Sequence, residues 1–510
     1  MLSIVHSCAL KGVDAVDIAV EVNSGERGDL KFVIVGLPDA AIKESYDRIF
    51  SALLNSGYQI PSTRTTVNLA PSYIRKEGSF YDLPIALGVV QSTGQCLLSH
   101  MGEFVIAGEL GLSGKIRGIK GGLAFALQAK KESKKLLLPV ESAKEAAFVD
   151  GVEIFAVGTL NEAVKFLSGQ INPSPVPHQN FPLEPKNGKH HLDFSEVKGQ
   201  HVLRRAVEVA VAGGHNILMM GPPGAGKSMV AKRIPSIMSP PTFDEFLDTM
   251  RIYSAAGLLI AEGRAYFERP FRSPHHTISG AGLLGGGSVP CPGEISLAHN
   301  GVLFLDEIAE FRRTTLESLR QPLEDGEVTI SRSSGKFKFP CNTMIVGAMN
   351  PCPCGYLGDK NHHCKCSFAD VQRYRSKISG PMIDRFDIQI GVPAVRIEDM
   401  QSKMFAESSA EIKSRVEEAA KIQEKRFKSS KNKNNARMSQ REITEFCELT
   451  REPLDILERA MKQLALSARA YDKILRVSRT IADLEGEEKI STTHVLEAIQ
   501  YRSLDRGYSD

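Results

Sequence analysis

The sequence predicts a multidomain α/β protein. Its 510 residues exceed one ordinary hydrophobic core, so roughly two to four domains are expected. Strand-like apolar runs alternate with helical stretches through the first three quarters of the chain. One such run, Ile217-Leu218-Met219-Met220, leads directly into a glycine-rich loop and an apolar helix start. Hydrophobic residues make up 42% and charged residues 24%, the balance of a soluble globular chain. No run approaches the ~18 apolar residues of a membrane span. The N-terminus lacks a basic segment followed by an apolar one, so no export signal is read and the cytoplasm is the expected compartment. A net charge of +3 decides nothing about nucleic acid, so local clustering has to carry that question.

Taken in order, residues 1–168 form a first α/β domain. Phe32–Val35, Thr65–Leu69, Phe104–Ala107 and Leu136–Leu138 read as strands. Ala40–Leu54 and Leu83–Val90 read as helices. Residues 169–192 are a linker: Pro173, Pro175, Pro177, Pro182 and Pro185 deny helix and ladder hydrogen bonds and predict an extended spacer. Residues 193–395 take a nucleotide-binding α/β layout. Residues 396–510 turn mostly helical, with apolar spacing of three and four over Leu454–Leu466, Ala470–Leu484 and Thr492–Tyr501.

The glycine-rich loop is Gly221-Pro222-Pro223-Gly224-Ala225-Gly226-Lys227-Ser228, which matches the phosphate-loop pattern in its strand–loop–helix setting. Its glycines let backbone N–H groups converge on phosphates, and the next helix offers its positive end. Lys227 is expected on the β- and γ-phosphates and Ser228 on Mg²⁺. Some eighty residues on, Gly301–Leu305 is an apolar strand ending in Asp306 and Glu307, as a Walker B element does. Asp306 is expected to hold Mg²⁺ and Glu307 to polarise the attacking water. Ile345–Met349 is another buried strand, and it ends in Asn350.

Cys352, Cys354, Cys364 and Cys366 make two C-x-C pairs, with His362 and His363 just before the second. Four thiolates would close a tetrahedral structural Zn²⁺ site with no open position for water, and either histidine could replace a cysteine. Glu327–Phe339 alternates polar and apolar residues around Ser333-Ser334-Gly335, which predicts a β-hairpin with Arg332, Lys336 and Lys338 free for phosphate contacts. The glycines of 280–287 predict a mobile loop, preceded by Arg272, His275 and His276. Lys421–Arg437 holds a third basic cluster that suits either DNA contact or a solvated loop.

The whole chain resembles the YifB/ComM family of magnesium-chelatase-like AAA+ ATPases. The strings that carry the resemblance include Gly36-Leu37-Pro38-Asp39, Lys76-Glu77-Gly78-Ser79, Arg272-Ser273-Pro274-His275-His276, Pro292–Gly301 and Arg479–Leu484. The resemblance implies an AAA+ core, a helical lid and ATP with Mg²⁺ as cofactors. It also implies a homo-hexameric ring that acts as a helicase, moving branch points in branched or single-stranded DNA during homologous recombination and natural transformation. It places sensor 1 at Asn350 and sensor 2 at Arg469, and makes Arg385 the finger that enters a neighbour's site, with Arg373 and Arg375 as competitors. The hairpin and the 254–288 insert would face the channel.

Residues 1–168 further resemble the Lon protease domain through Lys76–Asp82 and Gly108–Ile116. The Lon nucleophile position falls on Phe80 and its lysine position near Leu123, with Ser79, Lys115 and Lys120 close by. A non-proteolytic scaffold is therefore expected. A Lon-type ATP-dependent protease, or a chelatase-like ATPase remodelling a protein partner, are the competing functions.

Overall fold

A computed structural model of the chain describes residues 2–26, 31–180, 192–259, 268–287, 289–332, 335–359, 362–395, 398, 406–428, 434–464 and 466–502. The chain opens on a long antiparallel hairpin, Leu2–Lys11 with Asp14–Glu26, paired from Leu2↔Asn23 to Lys11↔Asp14 around Gly12 at φ +70°. Its burial alternates along much of each strand, which matches one face on a core. This hairpin escaped the sequence reading because polar residues interrupt its apolar positions.

The hairpin is the centre of a seven-stranded sheet. Phe32–Val35, Arg64–Ala70, Phe104–Ile106 and Lys135–Pro139 lie at or close to the expected positions, and Ile154–Val157, a strand the sequence reading did not single out, completes the sheet. The single helix expected over 40–54 is two: Ala40–Lys43 and Ser45–Asn55. Ser45 Oγ donates to Ile42 O at 2.6 Å, a local side-chain bond that competes with helix continuation at the break. The proline-rich segment also departs from a free spacer. Val176 N donates to Ile154 O (2.7 Å) and Gln179 N to Ala147 O (2.9 Å), so its first part lies against the domain. Pro182 and Pro185 lie outside the described residues.

The second sheet has five strands in the order Phe271–Arg272, Val302–Leu305, Met344–Met349, Ile217–Met220, Ile388–Gly391. All its pairings are parallel. Ile217–Met220, Val302–Leu305 and Met344–Met349 are buried along their whole length and read as unbroken apolar runs, which is why the sequence revealed them, whereas Phe271–Arg272 and Ile388–Gly391 were not read. Their side chains alternate between two cores. Leu218, Met220, Leu303 and Leu305 join the core that includes the first domain, while Ile217, Met219, Val302 and Phe304 join that of the C-terminal helices.

The C-terminal helices are Ser409–Arg426, Gln440–Phe446, Arg451–Gln463, Ala468–Leu484 and Thr492–Gln500. Ser409–Arg426 and Ala468–Leu484 are tied by a buried carboxylate, Asp483, which accepts from Arg426 Nη1 (2.7 Å), Arg479 Nε (3.0 Å) and Asn435 Nδ2 (2.8 Å). Arg426 thus leaves the expected basic surface cluster for a structural role. Helix Phe243–Ala255 joins the two α/β units. Its Phe246 ring meets Phe148 edge-on at 5.2 Å, and Ser254 O accepts from Gly121 N at 3.1 Å. Among the described residues, no helix is long and apolar enough to cross a membrane.

Candidate active site

In a parallel sheet every C-terminal strand end lies on one edge, where crossover loops leave a crevice. That edge gathers Gly221 after Met220, Asp306 after Leu305 and Asn350 after Met349. Gly221 N donates to Met349 O (3.2 Å). A Cβ on Gly221 would sit 2.2 Å from Val392 O, so only glycine fits there. Gly224 and Gly226 take φ +75° and +86°, the left-handed backbone that glycine allows in such a loop. Lys227 is buried and its Nζ donates to Gly221 O (2.6 Å), Pro222 O (2.9 Å) and Asn350 Oδ1 (3.3 Å). Burial lowers its pKa, while Asp306 and Glu307 oppose that shift.

Ser228 Oγ donates to Asp306 Oδ2 at 2.7 Å. The hydroxyl and carboxylate expected on Mg²⁺ are therefore within one ion's reach of each other, and the donor set is all oxygen, as Mg²⁺ demands. Glu307 adopts φ +50°, and its N–H is capped by Asp306 Oδ1 at 3.0 Å. Its carboxylate lies 3.7 Å from His276 Nδ1, and the His276 ring packs tilted against His275 with centroids 4.1 Å apart. The sequence placed these histidines ahead of the glycine-rich segment and gave them no role at Glu307. Their approach to Glu307 depends on Phe271–Arg272 running beside Val302–Leu303, a pairing no motif shows. A cavity of about 920 Å³ adjoins the loop, lined by residues that include Gln200, Val202, Pro222, Leu357 and Val392.

The arginines fall elsewhere. Arg385 precedes strand Ile388–Gly391, and its carbonyl accepts from Asn216 Nδ2 (3.1 Å) just ahead of strand Ile217–Met220. It is therefore on the N-terminal edge of the sheet, a strand length of roughly 13 Å from the edge that holds Lys227. Arg385 pairs with Glu324, and its Nε is buried without a hydrogen-bond partner. Arg469, in the first turn of Ala468–Leu484, lines the same cavity of about 470 Å³ as Arg385, together with Arg437, Lys473 and Arg476. Lys473 fixes this helix to the Arg385 segment by donating to Phe386 O (3.2 Å) and pairing with Asp387 (3.3 Å). Of the competing arginines, Arg375 bonds Pro351 O (3.2 Å) beside its own chain's nucleotide loop, and Arg373 is exposed next to Asp370.

The four clustered cysteines converge. Cys352 Sγ is 3.4 Å from Cys354 Sγ and 3.7 Å from Cys364 Sγ, Cys354 and Cys364 are 3.6 Å apart, and all four sulfurs lie within 4.8 Å. A tetrahedron of Zn–S bonds near 2.3 Å sets sulfurs about 3.8 Å apart, whereas a disulfide needs about 2.05 Å. The set could hold a metal ion. His362 stacks on Tyr356 (4.7 Å) and lies 3.8 Å from Asp359, outside the cysteine group.

Sequence comparisons cover nearly the full length. The family described as magnesium chelatase, subunit ChlI, matches residues 193–400. Its C-terminal family matches 406–502, and a further ChlI family matches 20–142. Competence protein ComM of Haemophilus influenzae is 41% identical, over 99% of this chain and 98% of that protein. The chain belongs to the YifB/ComM family. The uncharacterized protein YifB of Escherichia coli is 39% identical over the same shares. This family membership makes the chain a magnesium-chelatase-like AAA+ ATPase, with ATP and Mg²⁺ as its cofactors. Lon protease 2 of Bacillus subtilis is 29% identical over 145 residues, 26% of this chain, which marks a Lon-like region.

Within this family member, Phe80 and Leu123, which the Lon resemblance set at and near the two catalytic positions, are buried in the first core, and Phe80 packs on Phe125 at 5.5 Å. Ser79 donates to Glu109, and Lys120 lies beside Gly257 of the ATPase core. The hairpin forms as Glu327–Arg332 with Gly335–Pro340, and Ser333 and Ser334 lie outside the described residues. Arg332 and Lys336 are exposed. Lys338 instead pairs with Glu327 (2.6 Å), near the Gly12 turn of the first domain. The glycines after His276 form more order than a loop. Gly280–Leu284 is a short helix capped by Ser279, Leu283 is fully buried, and Gly285-Gly286 pairs with Cys291-Pro292. Glycine is needed there for close packing: a Cβ on Gly293 would lie 2.2 Å from Gly285 N.

Proposed function

We propose that this chain is the protomer of a homo-hexameric, ATP-driven DNA helicase that moves branch points in recombination intermediates in the cytoplasm. The observation that carries the reading is the separation of Arg385 and Arg469 from Lys227 by the depth of the sheet. Neither arginine reaches its own chain's nucleotide: Arg469 is exposed and open to a neighbour's, and Arg385 would exchange its Glu324 partner for a neighbour's phosphate. In the assembled site Lys227 binds the β- and γ-phosphates through the loop 221–228. Ser228 and Asp306 would hold Mg²⁺, which would supply neutralisation of phosphate charge. Glu307 orients the attacking water and takes its proton, and Asn350 fixes that water's direction. Arg385 from the next protomer meets the charge that builds as the β–γ bridging P–O bond breaks, an effect worth about 10³–10⁵ in rate for known fingers. Arg469 enters the same neighbouring site. The four thiolates of Cys352, Cys354, Cys364 and Cys366 hold a structural Zn²⁺.

Arg332 and Lys336 on the exposed hairpin face supply phosphate contacts without base reading, with Lys338 joining them when Glu327 releases it. Arg332 lies near Gly286, so the hairpin and the glycine-rich insert are adjacent. The Lon-like domain acts as a scaffold, which its apolar Phe80 and Leu123 support. A labelled four-way junction tests the reading. Wild-type protein with ATP should migrate the branch, and Lys227→Ala should not. Junction migration that persists in Lys227→Ala, or ATP-dependent casein degradation without junction activity, would overturn it.

A further inference from the structure

The chain that leaves the sensor strand at Met349 turns back within six residues to lie on the phosphate loop. Gly355, at φ +85°, touches Pro223 so closely that a Cβ there would be 2.7 Å from Pro223 Cδ. Leu357, Gly358 and Asp359 then line the nucleotide cavity opposite Gln200 and Val392. Residues 351–359 contain no helix or strand, so no backbone ladder holds this wall in place. The cysteines do instead. Cys352 is fully buried two residues after Asn350, and Cys354 directly precedes Gly355. Cys366 precedes Ser367, which caps helix Phe368–Arg375, and that helix carries Arg375 into the same cavity through its bond to Pro351 O (3.2 Å). One ion on four sulfurs would therefore tie the end of the sensor strand, the loop on Pro223 and the start of this helix at a single point.

We propose that Zn²⁺ on Cys352, Cys354, Cys364 and Cys366 braces a wall of the nucleotide cavity, so that metal occupancy sets the affinity for ATP. The inference rests on the zinc reading above and adds a consequence to it. Metal in such a closed site contributes folding energy locally. Its loss would free Gly355 from Pro223 and Leu357 from the wall of the cavity while leaving the five-stranded sheet intact.

The test uses the full-length protein, purified under reducing conditions. Zinc is measured first, then stripped with a thiol-compatible chelator that is removed before Mg²⁺ is added. Binding of a fluorescent ATP analogue is titrated before stripping, after stripping and after Zn²⁺ is returned. The expected result is about one zinc per chain, at least about tenfold weaker nucleotide binding when stripped, and recovery with Zn²⁺ but not with additional Mg²⁺. Zinc far below one per chain in the purified protein would overturn the zinc reading and the inference together. Full zinc with nucleotide affinity unchanged on stripping, within about twofold, would overturn the inference alone. Should the stripped chain unfold, Gly355→Ala decides: all four thiolates remain, yet the added Cβ pushes the wall off Pro223. That variant should keep its zinc and bind the analogue more weakly. Wild-type affinity in it would contradict the bracing role.

Discussion

The sheet of residues 2–157 and the sheet of residues 217–391 both lead strands into buried helices through tight turns, yet they use those turns differently. In the second sheet the turns after Met220, Leu305 and Met349 present Lys227, Asp306, Glu307 and Asn350 to one crevice. In the first, the segment ahead of helix Asp82–Ser92 sends Phe80 and Tyr81 inward, and the helix at Gly122–Lys131 buries Leu123. A Lon-like framework has thus been packed shut, and a P-loop framework has been kept open and polar. Fold alone assigns neither chemistry; the residues at the turns do.

The comparison can be broken at either sheet. The largest expected effects are at Lys227 and Arg385: Lys227→Ala should reduce ATP hydrolysis by about a thousandfold, measured as phosphate release, because the phosphates lose their only buried ammonium in the loop. Arg385→Ala should keep nucleotide affinity and lower turnover by about 10³-fold, the lower end for known fingers. Wild-type turnover in that variant would remove Arg385 from the finger role. In the first sheet, Leu123→Ala should cost about 2–5 kcal/mol of stability through its cavity, read by denaturant unfolding. The same variant should leave ATP turnover near wild type at low temperature; a loss of peptide or casein cleavage there would mean the first sheet had chemistry after all.

The smallest effect lies between the sheets. Glu145 accepts from Gly122 N (2.6 Å) and from Ser254 Oγ (3.0 Å) of the bridging helix. Burial pushes its carboxyl up to about 7 from an ordinary 4.5, against hydrogen bonds from Ser254 and the Gly122 and Leu123 amides. The folded protein therefore holds a proton that the unfolded chain releases between those values. Stability from this contact is fully present below the unfolded pKa and falls as the pH rises to about 7. Glu145→Gln, permanently neutral, should melt above wild type at about pH 8, with the gap closing towards about pH 5. A gap independent of pH would show that Glu145 does not titrate at this interface.

What the sequence disclosed follows from what chemistry fixes locally. Gly221–Ser228, the Asp306-Glu307 pair and Asn350 each sit at the end of an apolar strand, so order along the chain already states their geometry. The cysteine cluster was legible for the same reason, since two C-x-C pairs twelve residues apart have few other uses. The opening hairpin was not, because its polar residues hide a period of two. The helix at Gly280–Leu284 was not, because glycine that permits close packing looks the same in sequence as glycine that permits motion. The placing of Arg469 beside Arg385, and of His276 beside Glu307, is set by packing between distant segments. Lys473 on Phe386 and strand Phe271–Arg272 on Val302–Leu303 decide these, and neither contact leaves a local pattern.

The central claim is that one ATP is cleaved by two chains, and subunit mixing tests it most directly. Lys227→Ala protein retains a working Arg385, and Arg385→Ala protein retains a working Lys227 loop. Each alone should be nearly inert. Mixed in equal amounts and allowed to assemble with ATP and DNA, they should rebuild about a quarter of the sites and recover a matching share of wild-type hydrolysis. A mixture no more active than its two parents, under conditions where co-assembly is verified, would contradict the shared site.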